Sequence, residues 1–171
     1  MQYIQTNADL QAIADKLGGV ALLAADTEAA GYHRYRDTVC LLQLSTRLDT
    51  YVVDTLAIRE LSALKPVFAQ DETEVVFHDA DYDLRLLFRD FGFTVSGLFD
   101  TKIAAQFIGE QAFGLGSLAE KYLGITLEKK HQRADVEHQL ECGIEFLFLG
   151  HRFLVMAGLV PAIHAFLRYS I

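Results

Sequence analysis

Two acidic residues at the end of an apolar run are the first candidates for chemistry. Residues 20–28 read VALLAADTE, with glycines on either side. Such a bounded apolar run predicts a strand buried on both faces. Because alternate side chains of a strand share a face, Asp26 and Glu28 would project together. Close carboxylates repel unless a cation lies between them, and Mg²⁺ prefers such oxygens. The alternative is a pair of solvated turn residues.

A second acidic stretch, HDADYDLRLLFRDFG at residues 78–92, follows a later strand. A helix beginning near Asp79 would carry one apolar stripe, formed by Ala80, Leu84, Leu87, Phe88 and Phe91. Asp83 would lie beside this stripe at the rim of the core, where a carboxylate is costly unless it is paired or metal-bound. Asp79 would share the face of Asp83 and Asp81 would face solvent. For Asp79 and Asp81, a purely electrostatic role at the helix N-terminus is the preferred interpretation.

Alternating strand-like and helix-like segments would position these residues. A capping-box-like Thr6–Asp9 predicts a helix that ends near Leu17 at two glycines. Strands are predicted at 20–28, 39–45, 51–54 and 74–77, and helices at 58–68, 79–91, 101–108 and 117–122. Pro66 should bend or end the helix that contains it. The order predicts one α/β domain with a meander of strands first.

Composition narrows the function classes. The 171 residues are 51% hydrophobic and 22% charged, as in an ordinary soluble globular protein. The net charge of −8 argues against a protein that coats nucleic acid non-specifically. Cys40 and Cys142 suggest no disulfide framework, and the N-terminus shows no secretory signal, so a cytoplasmic location is expected.

Several segments in succession resemble one known family. DTE at the strand end is followed by CLLQLS, FHDADYDLRLLFRDFG, LFDTKIAAQFIG and GLGSLAEKYLGITLEKKHQRAD. Together they resemble the ribonuclease D branch of the DEDD-type 3′–5′ exonucleases, over about residues 1–135. The resemblance implies a ribonuclease H-like fold, with a mixed central sheet flanked by helices. It also implies hydrolytic release of nucleotides from the 3′ end of single-stranded nucleic acid.

The same resemblance implies roles for individual residues. Asp26, Glu28 and Asp83 would hold two Mg²⁺ or Mn²⁺ ions, which generate the attacking hydroxide and stabilise the leaving oxygen. Thr27 and His78 would contact the terminal nucleotide, and Lys130 and Gln132, in a basic stretch, would contact the substrate. Asp100 is interpreted mainly as a helix cap.

The resemblance ends after Asp135. The family continues with a helix carrying Tyr-x-x-x-Asp, which supplies a fourth carboxylate and a water-positioning tyrosine. Residues 136–171 contain no such motif and no aspartate. Glu137, Glu141 and Glu145 would form one acidic stripe on a helix, from which Glu141 or Glu145 could replace the missing carboxylate. A solvated helix face is the preferred interpretation of this stripe.

The divergent tail, residues 136–171, is predicted to be helical and is largely apolar from 153 to 167. This stretch is shorter than the roughly 20 residues of a membrane-spanning helix, so no membrane is expected. It could cover the core, form a surface for self-association, or be an exposed patch. An altered reading frame or gene end near codon 136 is one hypothesis for its origin.

Three functions are compatible with these observations. The first is a metal-dependent 3′–5′ exonuclease on single-stranded ends, RNA rather than DNA. With no helical domain in view after Arg133, a short end bound weakly is the expected substrate. The second is a catalytically impaired remnant that still binds nucleic acid or metal. The third, a metal-dependent phosphatase, uses the same carboxylates but leaves the other segments unexplained.

Overall fold

A mixed sheet of six strands organises the part of the chain that the computed structural model describes, residues 1–29 and 37–127. The strands are β1 (Gln2–Ile4), β2 (Leu22–Ala29), β3 (Val39–Ser45), β4 (Thr50–Asp54), β5 (Glu74–Phe77) and β6 (Leu98–Asp100). The α-helices are α1 (Asn7–Leu17), α2 (Lys65–Ala69), α3 (Asp81–Phe91), α4 (Thr101–Phe107) and α5 (Leu115–Leu123). A short 3₁₀ helix, Ser62–Leu64, precedes α2.

The strand order in the sheet is β1-β4-β3-β2-β5-β6. Strands β2, β3 and β4 form the predicted antiparallel meander, whereas β1 runs parallel to β4 and β5 parallel to both β2 and β6. The predicted mixed α/β architecture is therefore confirmed. The two edge strands β1 and β6 were not predicted, because three residues are too few to show an alternating pattern.

The larger core lies on one face of the sheet. Alternate residues of the central strands, such as Leu23 and Ala25 of β2, pack there against α1, the 3₁₀ helix, α2 and α3. The N-terminal helix α1 begins as predicted: Thr6 is its N-cap and accepts a hydrogen bond from the Asp9 N–H at 3.1 Å. This capping bond fixes where the helix starts and which of its residues face the core.

A smaller core lies on the opposite face. Ala24 of β2 and Val76 of β5 pack there against α4 and α5. Because Ala24, Asp26 and Glu28 share one face of β2, the two carboxylates lie on the side of this smaller core. Asp26 and Glu28 thus lie on the face of the sheet that α4 and α5 cover. Helix α3, which carries Asp83, packs on the other face.

Three predicted helix boundaries are wrong. The segment from Ile58 to Leu61 is not helical, and Pro66 lies at the start of α2, where its missing N–H costs no intrahelical bond. Helix α3 begins at Asp81 rather than near Asp79. Helix α5 begins at Leu115, earlier than predicted, after an N-cap at Gly114.

The apolar stripe predicted for α3 is confirmed except at one position, and its other four members belong to or pack against the larger core: Ala80, Leu84, Leu87 and Phe91. Phe88 was expected in the stripe, yet 64% of this residue is exposed. Leu86, which was not predicted in the stripe, is buried, as is Asp83. Within the described residues, no helix is both long and apolar enough to cross a membrane.

Candidate active site

The end of β2 brings the first two candidate carboxylates onto one face. The strand continues through Glu28 to Ala29, so the alternation predicted for Asp26 and Glu28 holds. In the antiparallel pairing with β3, Asp26 lies opposite Gln43 and Glu28 opposite Leu41. Both acidic residues are half-buried. A pair of like charges in this setting favours a bound cation.

The other edge of β2 opens toward α3 at the same point. Strand β5 pairs with β2 only as far as Ala24, so the β2 backbone beyond that residue is accessible to side chains from α3. Asp83 uses this opening. Its Oδ1 accepts hydrogen bonds from the Thr27 N–H at 3.1 Å and from the Thr27 hydroxyl at 2.5 Å. Thr27 therefore ties the carboxylate strand to helix α3.

Asp83 is more deeply buried than its predicted position at the rim of the core. Only 8% of the residue is exposed. Burial raises the pKa of this carboxyl, and the negative charge of Asp79 raises it further, while the two bonds from Thr27 oppose the shift. A cation close to Asp83 would favour its charged form and lower that pKa. The group is therefore poised to respond to a nearby positive charge.

His78 follows directly after β5 and is held by a buried threonine. Its Nδ1 lies 2.8 Å from the hydroxyl oxygen of Thr101, and that hydroxyl lies 3.1 Å from the Phe77 carbonyl oxygen. If the hydroxyl donates its single proton to the carbonyl, it must accept a hydrogen bond from Nδ1–H. In the neutral ring, Nε2 is then the acceptor nitrogen. This geometry fixes the orientation of the His78 ring.

Asp100 connects two segments rather than capping one helix alone. Its side chain accepts hydrogen bonds from the N–H groups of Lys102 and Ile103, as predicted for the N-cap of α4. It also accepts bonds from Asp79 N–H at 3.1 Å and from Ala80 N–H at 2.8 Å. This second function, which sequence reasoning missed, holds the turn between His78 and α3.

Asp79 does not share the face of Asp83, contrary to the prediction. It precedes α3 in a left-handed conformation with φ of 68°, and its carboxylate forms an ion pair with Lys102. Asp81 is exposed as predicted, and pairs with Arg85 at 2.7 Å within the same helix. Asp79 therefore contacts the N-terminal turn of α4, and Asp81 pairs within its own helix.

Gln43 is a buried polar residue that sequence reasoning missed. It lies in the middle of β3 and is 0% exposed, and neither its Nε2 nor its Oε1 has a hydrogen-bond partner among the described residues. An unpaired buried polar group costs about 1–3 kcal/mol. The signal was available in the strand VCLLQLS, where one amide side chain stands among apolar neighbours.

The described carboxylates offer some, but not all, of the ligands that one hard divalent cation needs. Within residues 1–29 and 37–127, no group of three or more His, Cys, Asp or Glu side chains is placed to hold a metal ion. Asp26 and Glu28 nevertheless offer the one or two carboxylates that Mg²⁺ commonly takes from a protein, beside water and phosphate oxygens. Oδ1 of Asp83 already accepts two hydrogen bonds from Thr27. Binding of a metal ion by Asp83 therefore stays a prediction.

Four predicted site residues lie outside the described part of the chain: Lys130, Gln132, Glu141 and Glu145. The same holds for the divergent tail and its proposed surface for self-association. Those predictions stay as they were made. Thr27 and His78 lie on segments adjoining the candidate carboxylates, and their predicted contacts with a terminal nucleotide are likewise untested.

Comparison with known proteins decides the family. The family described as 3′–5′ exonuclease matches residues 1–145, which extends past Asp135. This chain belongs to the 3′–5′ exonuclease family. The exosome complex exonuclease RRP6 of Saccharomyces cerevisiae is 39% identical over 134 residues, which are 78% of this chain and 18% of that relative. This chain spans about a fifth or less of the length of the curated relatives it matches.

Solved structures confirm the fold of this family member. A mutant of the catalytic core of RRP6 from Trypanosoma brucei matches with a TM-score of 0.90 and 29% identity, covering 99% of this chain and 48% of that one. Escherichia coli RNase D matches with a TM-score of 0.82 and 25% identity, covering 98% of this chain and 44% of that one. The predicted ribonuclease D-like resemblance and ribonuclease H-like fold are therefore confirmed.

Proposed function

We propose that this chain hydrolyses phosphodiester bonds at the 3′ end of single-stranded RNA, using Mg²⁺ or Mn²⁺. One observation carries the proposal: a member of the 3′–5′ exonuclease family keeps Asp26 and Glu28 on one face at the end of β2. RNA is favoured over DNA because RNase D, a structural relative, is an exoribonuclease involved in structured RNA processing. A two-metal mechanism is the finer part of the proposal.

The residues divide the work by position. Asp26 and Glu28 would hold a divalent cation, which supplies charge stabilisation and activates water when bound. Asp83 would complete the acidic group from the opposite edge of β2, with Thr27 holding its carboxylate in place. His78, oriented by Thr101, would contact the terminal nucleotide beside the strand end. Lys130 and Gln132 would add contacts to the substrate backbone.

The test is degradation of a 5′-labelled single-stranded oligonucleotide, as RNA and as DNA, with Mn²⁺ or Mg²⁺. We expect a ladder that shortens from the 3′ end, is abolished by EDTA, and is stronger on RNA. Asp26→Ala should lower the rate by at least about 10²–10⁴-fold, the range for a single catalytic group.

A matched pair of variants on α3 sharpens this experiment. Asp83→Ala removes the buried carboxylate, whereas Asp81→Ala removes an exposed carboxylate from the same turn of the helix. We expect only the Asp83 variant to lose activity. Equal activity of both variants, or a ladder that persists in EDTA, would contradict the proposed site.

A second candidate is a catalytically impaired member of the family that still binds metal or single-stranded ends. The sequence observation that favours it is the absence of Tyr-x-x-x-Asp from residues 136–171. Folded protein that binds Mn²⁺ through Asp26 but gives no ladder would select this candidate. Introducing a Tyr-x-x-x-Asp helix into that region should then restore cleavage. If the wild-type chain does cleave, Glu141→Gln and Glu145→Gln test whether either glutamate replaces the missing carboxylate.

A further inference from the structure

Gln43 is the polar group that the described contacts leave unexplained. It lies fully buried in the middle of β3, and both amide atoms lack a hydrogen-bond partner among the described residues. Ser45 lies two residues further along the same face and is also buried, yet its hydroxyl pairs with Thr50 at 2.8 Å. Buried polar groups normally form hydrogen bonds. We therefore expect the Gln43 amide to bond to a group that is not among the described residues.

The register of the sheet shows where such a partner would lie. Gln43 stands directly opposite Asp26 on one side and Val52 on the other. Residues directly opposite in an antiparallel pair share a face and have Cβ atoms about 4.5–5.5 Å apart. Val52 has no polar side-chain atom. The amide is therefore placed beside Asp26, on the face that also carries Glu28.

The chemistry of the amide matches the surroundings of a hydrated cation. Its Nε2 has two N–H donors for carboxylate oxygens, and its Oε1 accepts hydrogen bonds from water. Groups that contact metal ligands rather than the metal itself orient those ligands and tune affinity. An apolar residue of the same size would fill this space without an unpaired amide.

We propose that Gln43 is a positioning residue for a divalent cation held by Asp26 and Glu28. Its amide hydrogen-bonds to the Asp26 carboxylate or to water bound to the cation, and so orients the carboxylate toward the ion. This inference rests on the proposed function, because it requires the cation that the exonuclease activity needs. It adds a residue that makes no contact with the substrate.

The test compares Mn²⁺ affinity with the stability of the metal-free protein, on the full chain. Gln43→Met keeps the length of the side chain and removes the amide. We expect Mn²⁺ binding measured by calorimetry to weaken by about 10–100-fold. The urea midpoint in EDTA should stay the same or rise, because an unpaired buried amide has been removed. Ser45→Ala is the control and should lower the urea midpoint without changing Mn²⁺ affinity.

The outcomes separate this inference from the proposed function. Wild-type Mn²⁺ affinity in Gln43→Met, while Asp26→Asn abolishes binding, overturns the role of Gln43 and leaves the metal site standing. Unchanged affinity in Asp26→Asn overturns the proposed metal site itself. A lower urea midpoint of Gln43→Met in EDTA, with Mn²⁺ affinity unchanged, also overturns the inference by assigning Gln43 a structural role. Should Gln43→Met not fold, Gln43→Asn keeps the amide but shortens its reach, and is expected to weaken Mn²⁺ binding.

Discussion

Replacing Thr27 by valine tests how the carboxylate strand is tied to α3. Valine has the same shape but lacks the hydroxyl that donates to Asp83 Oδ1 at 2.5 Å, while the backbone N–H bond at 3.1 Å is retained. A hydrogen bond to a charged acceptor contributes about 1.5–3 kcal/mol, and a neutral one about 0.5–1.5 kcal/mol. The loss in free energy of unfolding should therefore depend on whether Asp83 is ionised.

The direction of this pH dependence follows from burial. Because the folded-state pKa of Asp83 is raised, its carboxyl contributes stability that is fully present below the unfolded pKa of about 3.9 and is lost as pH rises through the folded pKa. The Thr27 bonds oppose that loss by favouring the ionised form. Thr27→Val should raise the pKa of Asp83 further, so its stability penalty should be larger at neutral pH than in acid.

Urea unfolding in EDTA, at pH 7 and again below the unfolded pKa of aspartate, measures both penalties. We expect a penalty of about 1.5–3 kcal/mol at pH 7 and a smaller one in acid. Thr27→Ser keeps the hydroxyl and is the control, with most of the pH-dependent difference restored. Equal penalties of Thr27→Val at the two pH values, or a carboxyl pKa of Asp83 that does not rise in an NMR titration, would refute this reasoning.

Substitutions at four further positions test the framework of the fold by urea unfolding. Asp100→Ala should lower the free energy of unfolding by about 3 kcal/mol, because several backbone N–H groups lose their acceptor, and Asp100→Asn should recover part of it. Gly97→Ala should destabilise by about 1–3 kcal/mol, since its Cβ would lie 2.2 Å from a backbone carbonyl oxygen. Gly116→Ala, with no described atom within 4 Å of the new Cβ, should instead stabilise α5 by about 0.5–1 kcal/mol, and destabilisation of both would contradict the steric argument. Tyr3→Phe removes a 2.8 Å bond to Asp54 and should cost about 1 kcal/mol at pH 7. Burial raises the pKa of Asp54, but its hydrogen bonds outweigh burial and hold the pKa below its ordinary value, so this cost should shrink as pH falls through that pKa; a cost that is constant with pH would count against it.

Local sequence signals were sufficient wherever a segment's own residues decide its structure. The run VCLLQLS became β3 over the predicted residues, and Thr6 capped α1 as expected. Both follow from short-range rules: a short, nearly continuous apolar run predicts a buried strand, and a side-chain cap marks the first helical turn. The predicted start of α3 was wrong because hydrogen bonds to Asp100, about 20 residues away in the chain, hold residues 79–80 outside the helix.

The sequence by itself determined the family and the pairing of Asp26 with Glu28. The pairing needs only the two-residue period of a strand, which no tertiary contact alters once the strand forms. The order of motifs likewise depends on the chain alone, and the family match over residues 1–145 agrees with it.

Only the tertiary structure decided what surrounds those carboxylates. Thr27 contacts Asp83 because β5 leaves the edge of β2 after Ala24, and Gln43 lies opposite Asp26 through the register of β2 and β3. Both arrangements bring together residues that are not neighbours in the chain, the first through the end of the β2–β5 pairing and the second through the β2–β3 register. The physical reason is that burial and cross-strand register are properties of the assembled sheet, whereas the two-residue alternation belongs to a single strand.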